Sequence, residues 1–257
     1  IEIAAFEGQA ICIMPRRSDE GILIHEANPY CNDGREIVGN ILWDGGLALA
    51  KFFAWRESGG LDEEEGISRI SSKAVLELGA GTGIVGLTLG KLGANVTVTD
   101  SELEVLTLLQ RNIDANSLAE EVEVRRLDFA DPESYMEPAA IDLVVASEVM
   151  YQDAHGFGLA DTLAAHMPTG ARKEAFLAYS NRVEAPLDRF LAGLHRLGFD
   201  LERLEDADGR AVAAFKGPHL AYDGARFKVL PWAQADNAVR SATFCSGNET
   251  YGGGGGV

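Results

Sequence analysis

The stretch from Val75 to Leu87, "VLELGAGTGIVGL", sets the fold class of this chain. Its first letters belong to an apolar run of strand length, "AVLEL", which ends at Leu78. Gly79, Gly81 and Gly83 follow at every second position, where glycine lets the backbone turn sharply and approach a ligand closely. The letters "GIVGLTLGKLG" then have the pattern of a helix. A strand, a glycine-rich turn and a helix in this order indicate an α/β fold with a ligand at the turn.

Read from Gly81, the stretch also contains G-x-G-x-x-G, the pattern of a dinucleotide site. The register relative to the strand argues against that interpretation. The strand ends at Leu78, so the glycines in phase are Gly79 and Gly81, and the third position of the pattern is Ile84. Glu77 would also lie beside a bound pyrophosphate, where a carboxylate is unfavourable. The turn therefore favours a cationic or hydroxyl-rich ligand, and a nicotinamide oxidoreductase is a poor alternative.

The chain after Lys73 alternates between strand and helix patterns. Further strands are predicted in "NVTVTD", "VEVRRLDF", "IDLVVASEV" and "EAFLAYSNR", and helices in "ELEVLTLLQRNIDAN", "GLADTLAAHM" and "PLDRFLAGLHRLG". Apolar strands that alternate with helices predict a parallel sheet with right-handed crossovers. The segment "FDLERLEDADGRAVAAF" predicts an antiparallel hairpin through its D-G turn. At the start of "ELEVLTLLQRNIDAN", Ser101 and Glu104 have the spacing of a capping box.

The chain divides into three predicted segments. Residues 1–72 contain a two-strand ribbon, "GQAICIMP" with "GILIHEA", and a helix in "ILWDGGLALAKFFAWRES". Residues 73–216 form the α/β core. Residues 217–257 form an extension with another possible hairpin around "YDGARF" and a tail, "GGGGGV", that is flexible by composition.

Carboxylates follow or end three successive strands of the predicted sheet. Glu77 lies at the end of the first strand, Asp100 ends the second, and Asp128 comes just after the third. Because the carboxyl ends of parallel strands meet at one edge, these side chains are expected to surround one ligand. An acid at the second strand end is placed to hold ribose hydroxyls, and Asp128 to accept a hydrogen bond from an adenine amine. The pattern fits an adenosine that carries an amino-acid tail.

Composition narrows the classes of partner. The formal net charge of −18 repels phosphate backbones, so we expect no nucleic acid and favour a basic protein segment or a small neutral or cationic molecule. No apolar run approaches the roughly 20 residues of a membrane span, so we expect no membrane. The three cysteines lie far apart, which favours reduced thiols in the cytoplasm or the nucleus and argues against a zinc site.

The motifs "VLELGAGTGIVGL", "VTVTD", "RLDF" and "IDLVVASEVMY" resemble those of class I S-adenosylmethionine-dependent methyltransferases. "GNILWDGGLALAKFF", upstream of them, looks like the tryptophan-containing segment of the seven-strand protein-lysine methyltransferases, the methyltransferase-like 21 type. The resemblance covers about residues 37–215 and implies a Rossmann-like, doubly wound sheet of seven strands with an antiparallel strand from the C-terminal hairpin. It also implies S-adenosylmethionine as methyl donor, S-adenosylhomocysteine as product, no metal, and a monomer that acts on a protein substrate.

The resemblance assigns roles residue by residue. The residues it places around the cofactor are Trp43, Glu77, Gly79, Gly81, Gly83, Asp100, Ser101, Asp128, Phe129, Ala146 and Ser147. Among these, the first strand end and its glycines would surround the methionine moiety, Asp100 the ribose, and Asp128 and Phe129 the adenine. Glu148 and Tyr151 would line the acceptor channel as the catalytic residues. The family has an aspartate where this chain has Glu148, which leaves the acceptor open.

Two alternatives remain at this point. A small-molecule N- or O-methyltransferase on the same scaffold would have an enclosing lid in place of an open acidic groove. A non-catalytic module would use the same fold to bind a partner protein. His155 is the histidine nearest to the predicted site, and we interpret it as a loop residue because its sequence neighbourhood offers no partner.

Overall fold

The computed structural model of the 257-residue chain describes residues 9–11, 21–30, 34–55, 57, 69–137, 141–167, 174–179, 184–197, 200–205, 211–216 and 226–231. The central sheet has eight strands: β3 (Ala74–Leu78), β4 (Asn95–Asp100), β5 (Val122–Arg126), β6 (Leu143–Ser147), β7 (Glu174–Tyr179), β8 (Asp200–Glu205), β9 (Ala211–Lys216) and β10 (Arg226–Pro231). Their order across the sheet is β5-β4-β3-β6-β7-β10-β9-β8. The α/β class and the mostly parallel sheet are confirmed.

The sheet has one strand more than the seven predicted. β10 lies in the segment interpreted as a C-terminal extension, and it inserts between β7 and β9. It runs parallel to β7 and antiparallel to β9, while β8 and β9 pair antiparallel. The residues from Arg226 to Val229 alternate between polar and apolar, which is the pattern that could have identified this strand. The Gly-rich tail lies outside the described residues.

Helices cover both faces of the sheet. They are α1 (Asp44–Trp55), α2 (Ile84–Lys91), α3 (Leu103–Ala115), α4 (Asp153–His166) and α5 (Glu184–Arg196). The buried residues of α1, α2 and α3 belong to one apolar cluster, and those of α4 and α5 to another. Strand side chains alternate between the two clusters, so that Val75 joins the first and Leu76 the second. The sheet is therefore doubly wound.

The helix predicted in the upstream segment forms as α1. Its buried residues include Leu49 and Phe53, both fully buried, and the Phe53 ring packs edge-to-face on Phe176 of β7 at 5.2 Å between centroids. At its start, α1 lies beside the end of β6 and the start of α2, since a Cβ atom at Gly46 would be 3.2 Å from Ser147 Oγ and 3.1 Å from Ile84 Cγ2. In front of α1, a two-strand antiparallel ribbon, β1 (Gln9–Ile11) and β2 (Ile22–Ile24), adds Ile22 and Ile24 to the same apolar cluster.

The start of α3 differs from the prediction. The helix begins at Leu103 with Glu102 as its N-cap residue, and no side chain caps it there, so the capping box of Ser101 and Glu104 does not form. The Glu102 N–H instead donates to Asp100 Oδ1 at 3.2 Å. Asp100, at the end of β4, thus accepts the backbone N–H that a side chain of a capping box would otherwise accept. No helix in the described part of the chain is long and apolar enough to cross a membrane.

Candidate active site

A pocket of about 970 Å³ opens at the carboxyl ends of β3, β4, β5 and β6. Most of the predicted site residues line it: Trp43, Gly79, Gly81, Asp100, Ser101, Asp128, Phe129, Ser147, Glu148 and Tyr151. The remaining three, Glu77, Gly83 and Ala146, are not part of the lining. Residues far apart in sequence therefore come together at one edge of the sheet, as the strand order requires.

The glycine turn needs glycine for backbone conformation and for space. Gly79 has a φ of 62° and Gly81 a φ of 55°, a region that other residues rarely adopt. A Cβ atom at Gly79 would lie 2.5 Å from Val149 Cγ1, and one at Gly81 would lie 3.2 Å from the carbonyl oxygen of Gly39. The turn is thus a narrow cradle whose exposed surface toward the pocket is mostly peptide backbone.

Glu77 does not reach this cradle. It lies on β3 two residues after Val75 and shares its face, so its side chain points toward α2 and is only 1% exposed. Its Oε2 accepts the Gly86 N–H at 2.8 Å. Burial raises the pKa of Glu77 to about 8, with a smaller contribution from the charge of Asp100 and an opposing one from the Gly86 hydrogen bond. The carboxyl group joins β3 to α2 beneath the pocket.

Gly83 and Ala146 lie outside the lining for packing reasons. Gly83 precedes α2, and a Cβ atom there would come within 2.7 Å of Leu109 Cδ2, so the residue faces α3. Ala146 is 3% exposed and belongs to the apolar cluster under α4 and α5. Both residues lie behind the pocket wall, and their side-chain positions face other elements of the fold.

Asp100 connects the second strand end to the glycine turn. Its Oδ2 accepts the Gly81 N–H at 3.2 Å, and its Oδ1 accepts the Glu102 N–H. Burial raises the pKa of Asp100, although the backbone N–H groups of Glu102, Gly81 and Ser101 oppose that rise. The carboxylate is held in a fixed orientation at the pocket wall, where a diol can be recognised without a large ordering cost.

Asp128 and Phe129 form the wall after β5. Asp128 Oδ1 accepts the Ala130 N–H at 2.9 Å, and Oδ2 lies 3.4 Å from Arg126 Nη2. The Tyr135 hydroxyl donates to the Phe129 carbonyl at 2.9 Å. These bonds stabilise the loop so that one acidic and one aromatic side chain line the same part of the pocket.

Glu148 stands directly beyond β6 in a strained conformation. Its φ of 54° lies in the left-handed region, which costs about 1–2 kcal/mol for a residue other than glycine. Its N–H donates to the Ala178 carbonyl at 2.9 Å, which holds the turn in place. The side chain packs against Gly45 in the first turn of α1, where any Cβ atom would collide with it. Strain retained at a pocket residue is typical of functional sites.

Tyr151 and His155 form an aromatic pair at the pocket. Their ring centroids are 4.5 Å apart at 85°, and His155 also meets the Phe129 ring edge-to-face at 6.4 Å. Burial, and then the charges of Asp100 and Glu102, raise the pKa of Tyr151 to about 12. Burial lowers the pKa of His155, although the nearby backbone of Val149 and the charge of Asp128 oppose this.

The interpretation of His155 as a loop residue is wrong. It lies in the first turn of α4 and lines the pocket, and its Nδ1 is buried without a hydrogen-bond partner among the described residues. Sequence reasoning missed it because the helix was predicted to begin at Gly158, whereas α4 begins at Asp153. The earlier start brings His155 into the first turn, where its ring meets Tyr151.

The upstream segment forms the opposite wall. The Trp43 indole N–H donates to the Val38 carbonyl at 2.8 Å, and Arg35 binds Glu102 at 2.7 Å. Sequence reasoning named Trp43 here but missed Gly39 and Gly46, which also line the pocket. The glycines on both sides of the tryptophan in "GNILWDGG" were the available signal, because close approach of two backbones requires them.

The sequence of this chain is similar to those of known proteins. A family model described as lysine methyltransferase matches residues 29–196. Protein N-lysine methyltransferase METTL21A of Danio rerio is 31% identical over 183 residues, which cover 70% of this chain and 77% of the relative. EEF1A lysine methyltransferase 3 of Mus musculus is 29% identical and covers 76% of this chain and 79% of the relative. The protein-lysine N-methyltransferase EFM6 of Saccharomyces cerevisiae is 34% identical over 137 residues, 47% of this chain and 55% of the relative.

The matched range contains every residue that lines the pocket, from the upstream segment to α4. The chain belongs to the lysine methyltransferase family, whose members are S-adenosylmethionine-dependent enzymes that methylate lysine side chains of proteins.

Proposed function

We propose that the pocket binds the whole of S-adenosylmethionine and presents its methyl group to a lysine from a basic segment of a protein substrate. One observation carries the proposal: Asp100, Asp128 and Glu148, which end or follow β4, β5 and β6, line a single pocket on both sides of the glycine cradle that follows β3. Their positions suit the ribose, the adenine and the acceptor amine in that order. The volume of about 970 Å³ leaves room for an acceptor side chain beside the cofactor.

The residues present fit the cofactor. Gly79 and Gly81 line the pocket without side chains, because a Cβ atom at Gly79 would collide with Val149 and one at Gly81 would crowd the Gly39 carbonyl. The backbone there could therefore approach the methionine moiety closely. Asp100 is oriented toward the ribose hydroxyls, and Phe129 offers an aromatic edge beside Asp128 for the adenine. The cofactor supplies an already activated sulfonium methyl group, and S-adenosylhomocysteine is the product.

The protein then has to position the acceptor and to exclude water. We assign Glu148 to orient the arriving ammonium group and Tyr151 to hold the amine in line with the methyl carbon. With a pKa raised to about 12, the Tyr151 hydroxyl stays protonated at neutral pH and does not act as a base. Partial desolvation of the lysine in the pocket lowers its pKa, which favours the neutral amine that attacks.

Charge at the pocket supports a basic substrate. The acidic lining residues are Glu36, Asp100, Glu102, Asp128, Glu148 and Asp161. Among the described residues that line the pocket, Arg35 is the only lysine or arginine. It already forms ion pairs with two glutamates: its Nη1 lies 2.7 Å from Glu102 Oε2, and its Nη2 lies 3.6 Å from Glu104 Oε1. Together with the net charge of −18, this surface attracts lysine-rich protein segments and repels nucleic acid. A monomer in the cytoplasm or the nucleus remains our expectation from the sequence.

Labelled transfer tests the proposal. Incubation of the protein with methyl-labelled S-adenosylmethionine and a cell lysate should label a protein on lysine, identified by mass spectrometry.

Asp100→Ala should raise the dissociation constant for S-adenosylhomocysteine, measured by isothermal titration, by about tenfold or more because it removes a pre-oriented hydrogen-bond acceptor. Label found on small molecules alone, or unchanged affinity in Asp100→Ala, would contradict the proposal.

A further inference from the structure

Asn112 of α3 and Asn116, the residue that follows this helix, form with the N-terminal ribbon the hydrogen bonds that a neighbouring strand would form. Asn116 accepts the Leu23 N–H at 2.8 Å and donates to the Leu23 carbonyl at 2.7 Å. Asn112 accepts the His25 N–H at 2.8 Å and donates to the His25 carbonyl at 3.1 Å. Leu23 and His25 are two residues apart on an extended chain, and the asparagines are one helical turn apart. Each side-chain amide therefore supplies the donor and the acceptor that a peptide group would supply.

Asn112 makes one contact that Asn116 lacks. Its Nδ2 also donates to the carbonyl oxygen of Thr82 at 2.8 Å, whereas the third hydrogen bond of Asn116 goes to the Asn112 carbonyl within α3. Asn112 is 0% exposed, and both of its N–H groups and its oxygen are used. An amide satisfied on both sides in this way fixes the groups that it binds relative to each other.

Thr82 lies near the end of the glycine cradle, between Gly81 and Gly83, and it lines the pocket. The cradle is held at one end by the Ala80 N–H, which donates to Thr99 O at 2.7 Å. The bond from Asn112 holds the other end. The Thr82–Gly83 peptide group is held on both sides, since its N–H donates to the Ala80 carbonyl at 2.8 Å and its carbonyl accepts from Asn112. The flanking glycines make its orientation depend on these two bonds more than on side-chain packing.

We infer that Asn112 is a positioning residue of the cofactor pocket, which links the docking of the N-terminal ribbon to the shape of the glycine cradle. The inference rests on the proposed binding of S-adenosylmethionine in this pocket. A cradle that is already ordered binds its ligand without a further ordering cost, and the reverse also holds: a bound ligand strengthens the attachment of the ribbon.

Asn112→Ala and Asn116→Ala form a matched pair, because both weaken ribbon docking and only the first removes the hydrogen bond to the Thr82 carbonyl. We expect both to lower the melting temperature. Only Asn112→Ala should raise the dissociation constant for S-adenosylhomocysteine by about tenfold, with the KM for S-adenosylmethionine raised and kcat at saturating cofactor retained. Equal affinity in the two variants would overturn the inference and leave Asn112 a structural residue.

Hydrogen exchange of the wild-type protein tests the link without any variant that must fold. Saturating S-adenosylhomocysteine should slow exchange of the His25 amide, which is bonded to Asn112, several-fold more than that of the Leu23 amide, which is bonded to Asn116. Equal slowing of the two amides would overturn the inference while the proposed function stands. A wild-type protein that binds neither S-adenosylmethionine nor S-adenosylhomocysteine would overturn both.

Discussion

The ends of β3 and β6 carry similar residues and have different uses. The two strands are adjacent and parallel, with Leu78 beside Ala146, and each has a glutamate near its carboxyl end. Glu77 lies inside β3, faces α2 and is 1% exposed. Glu148 lies one residue beyond β6, where its strained backbone turns the side chain toward the pocket.

The difference shows that the position of a carboxylate relative to the strand end decides its role. A residue within the strand must follow the alternation of the sheet, so its side chain faces one of the two helix layers and is buried there. A residue beyond the strand is free of that alternation and can be directed by the turn. Glu77 therefore organises the fold under the cradle, and Glu148 is available to a ligand.

The β3 end should be the more sensitive of the two in stability. Gly86→Ala should lower the free energy of unfolding by about 3 kcal/mol, because the added methyl carbon would collide with Val98 and come within 2.5 Å of Glu77 Oε2. It would also displace the Gly86 N–H from Glu77, to which it donates at 2.8 Å. Urea unfolding followed by circular dichroism measures this change.

Gly46→Ala in α1 is the matched control for Gly86→Ala. Its added methyl carbon would come no closer than 3.1 Å to Ile84 and 3.2 Å to Ser147 Oγ, so its cost in unfolding free energy should be less than about 1 kcal/mol. Equal losses in the two variants would mean that the contact between Glu77 and α2 is not what makes the β3 end sensitive.

The β6 end should be sensitive in activity instead. Glu148→Gln should lower the rate of methyl transfer by about a hundredfold, because it removes the charge that orients the acceptor ammonium, with cofactor affinity unchanged within about twofold. Single-turnover transfer of labelled methyl groups and isothermal titration with S-adenosylhomocysteine separate the two quantities. Loss of cofactor affinity with the transfer step intact would assign Glu148 to the cofactor and not to the acceptor.

Much of the fold followed from the sequence because periodicity and glycine placement are local signals. The strand, turn and helix of residues 75–87 are found where they were expected, with α2 beginning at Ile84. The carboxyl-end site followed because parallel strands must bring their ends together. Asp100 and Asp128 accordingly line one pocket.

What could not be predicted depends on direction and on long-range contacts. The sequence did not reveal that Glu77 points to α2, because a strand pattern fixes alternation but not which face is covered by which element. It did not reveal that β10 pairs with β7, because these two strands lie far apart along the chain. Asn112 had no signal at all, since an asparagine on a helix is common and its contacts are 87 and 30 residues away.

The contrast between the two glutamates can be sharpened by pH. Burial raises the pKa of Glu77 from its ordinary value of 4.5 to about 8, so between these values the folded state keeps a proton that the unfolded chain has released. Stability from this residue therefore falls as pH rises through that window, by up to about 1.4 kcal/mol per pH unit.

Glu77→Gln should remove that slope, because the amide oxygen can still accept the Gly86 N–H and carries no ionisable proton. Between about pH 5.5 and about pH 7.5, the free energy of unfolding of the variant should increase relative to that of the wild type as pH rises. A constant difference across that range would show that Glu77 is ionised in the folded protein.

The smallest expected effect concerns the aromatic pair beyond the β6 end. His155→Ala should lower kcat/KM for the acceptor by about threefold, because the edge-to-face contact that holds the Tyr151 ring at 4.5 Å is lost. His155→Phe keeps an aromatic edge there and removes a buried Nδ1 that has no partner among the described residues, so it should retain both activity and stability. Equal losses in the alanine and phenylalanine variants would show that an imidazole nitrogen, and not the packing of the ring, is what the site uses.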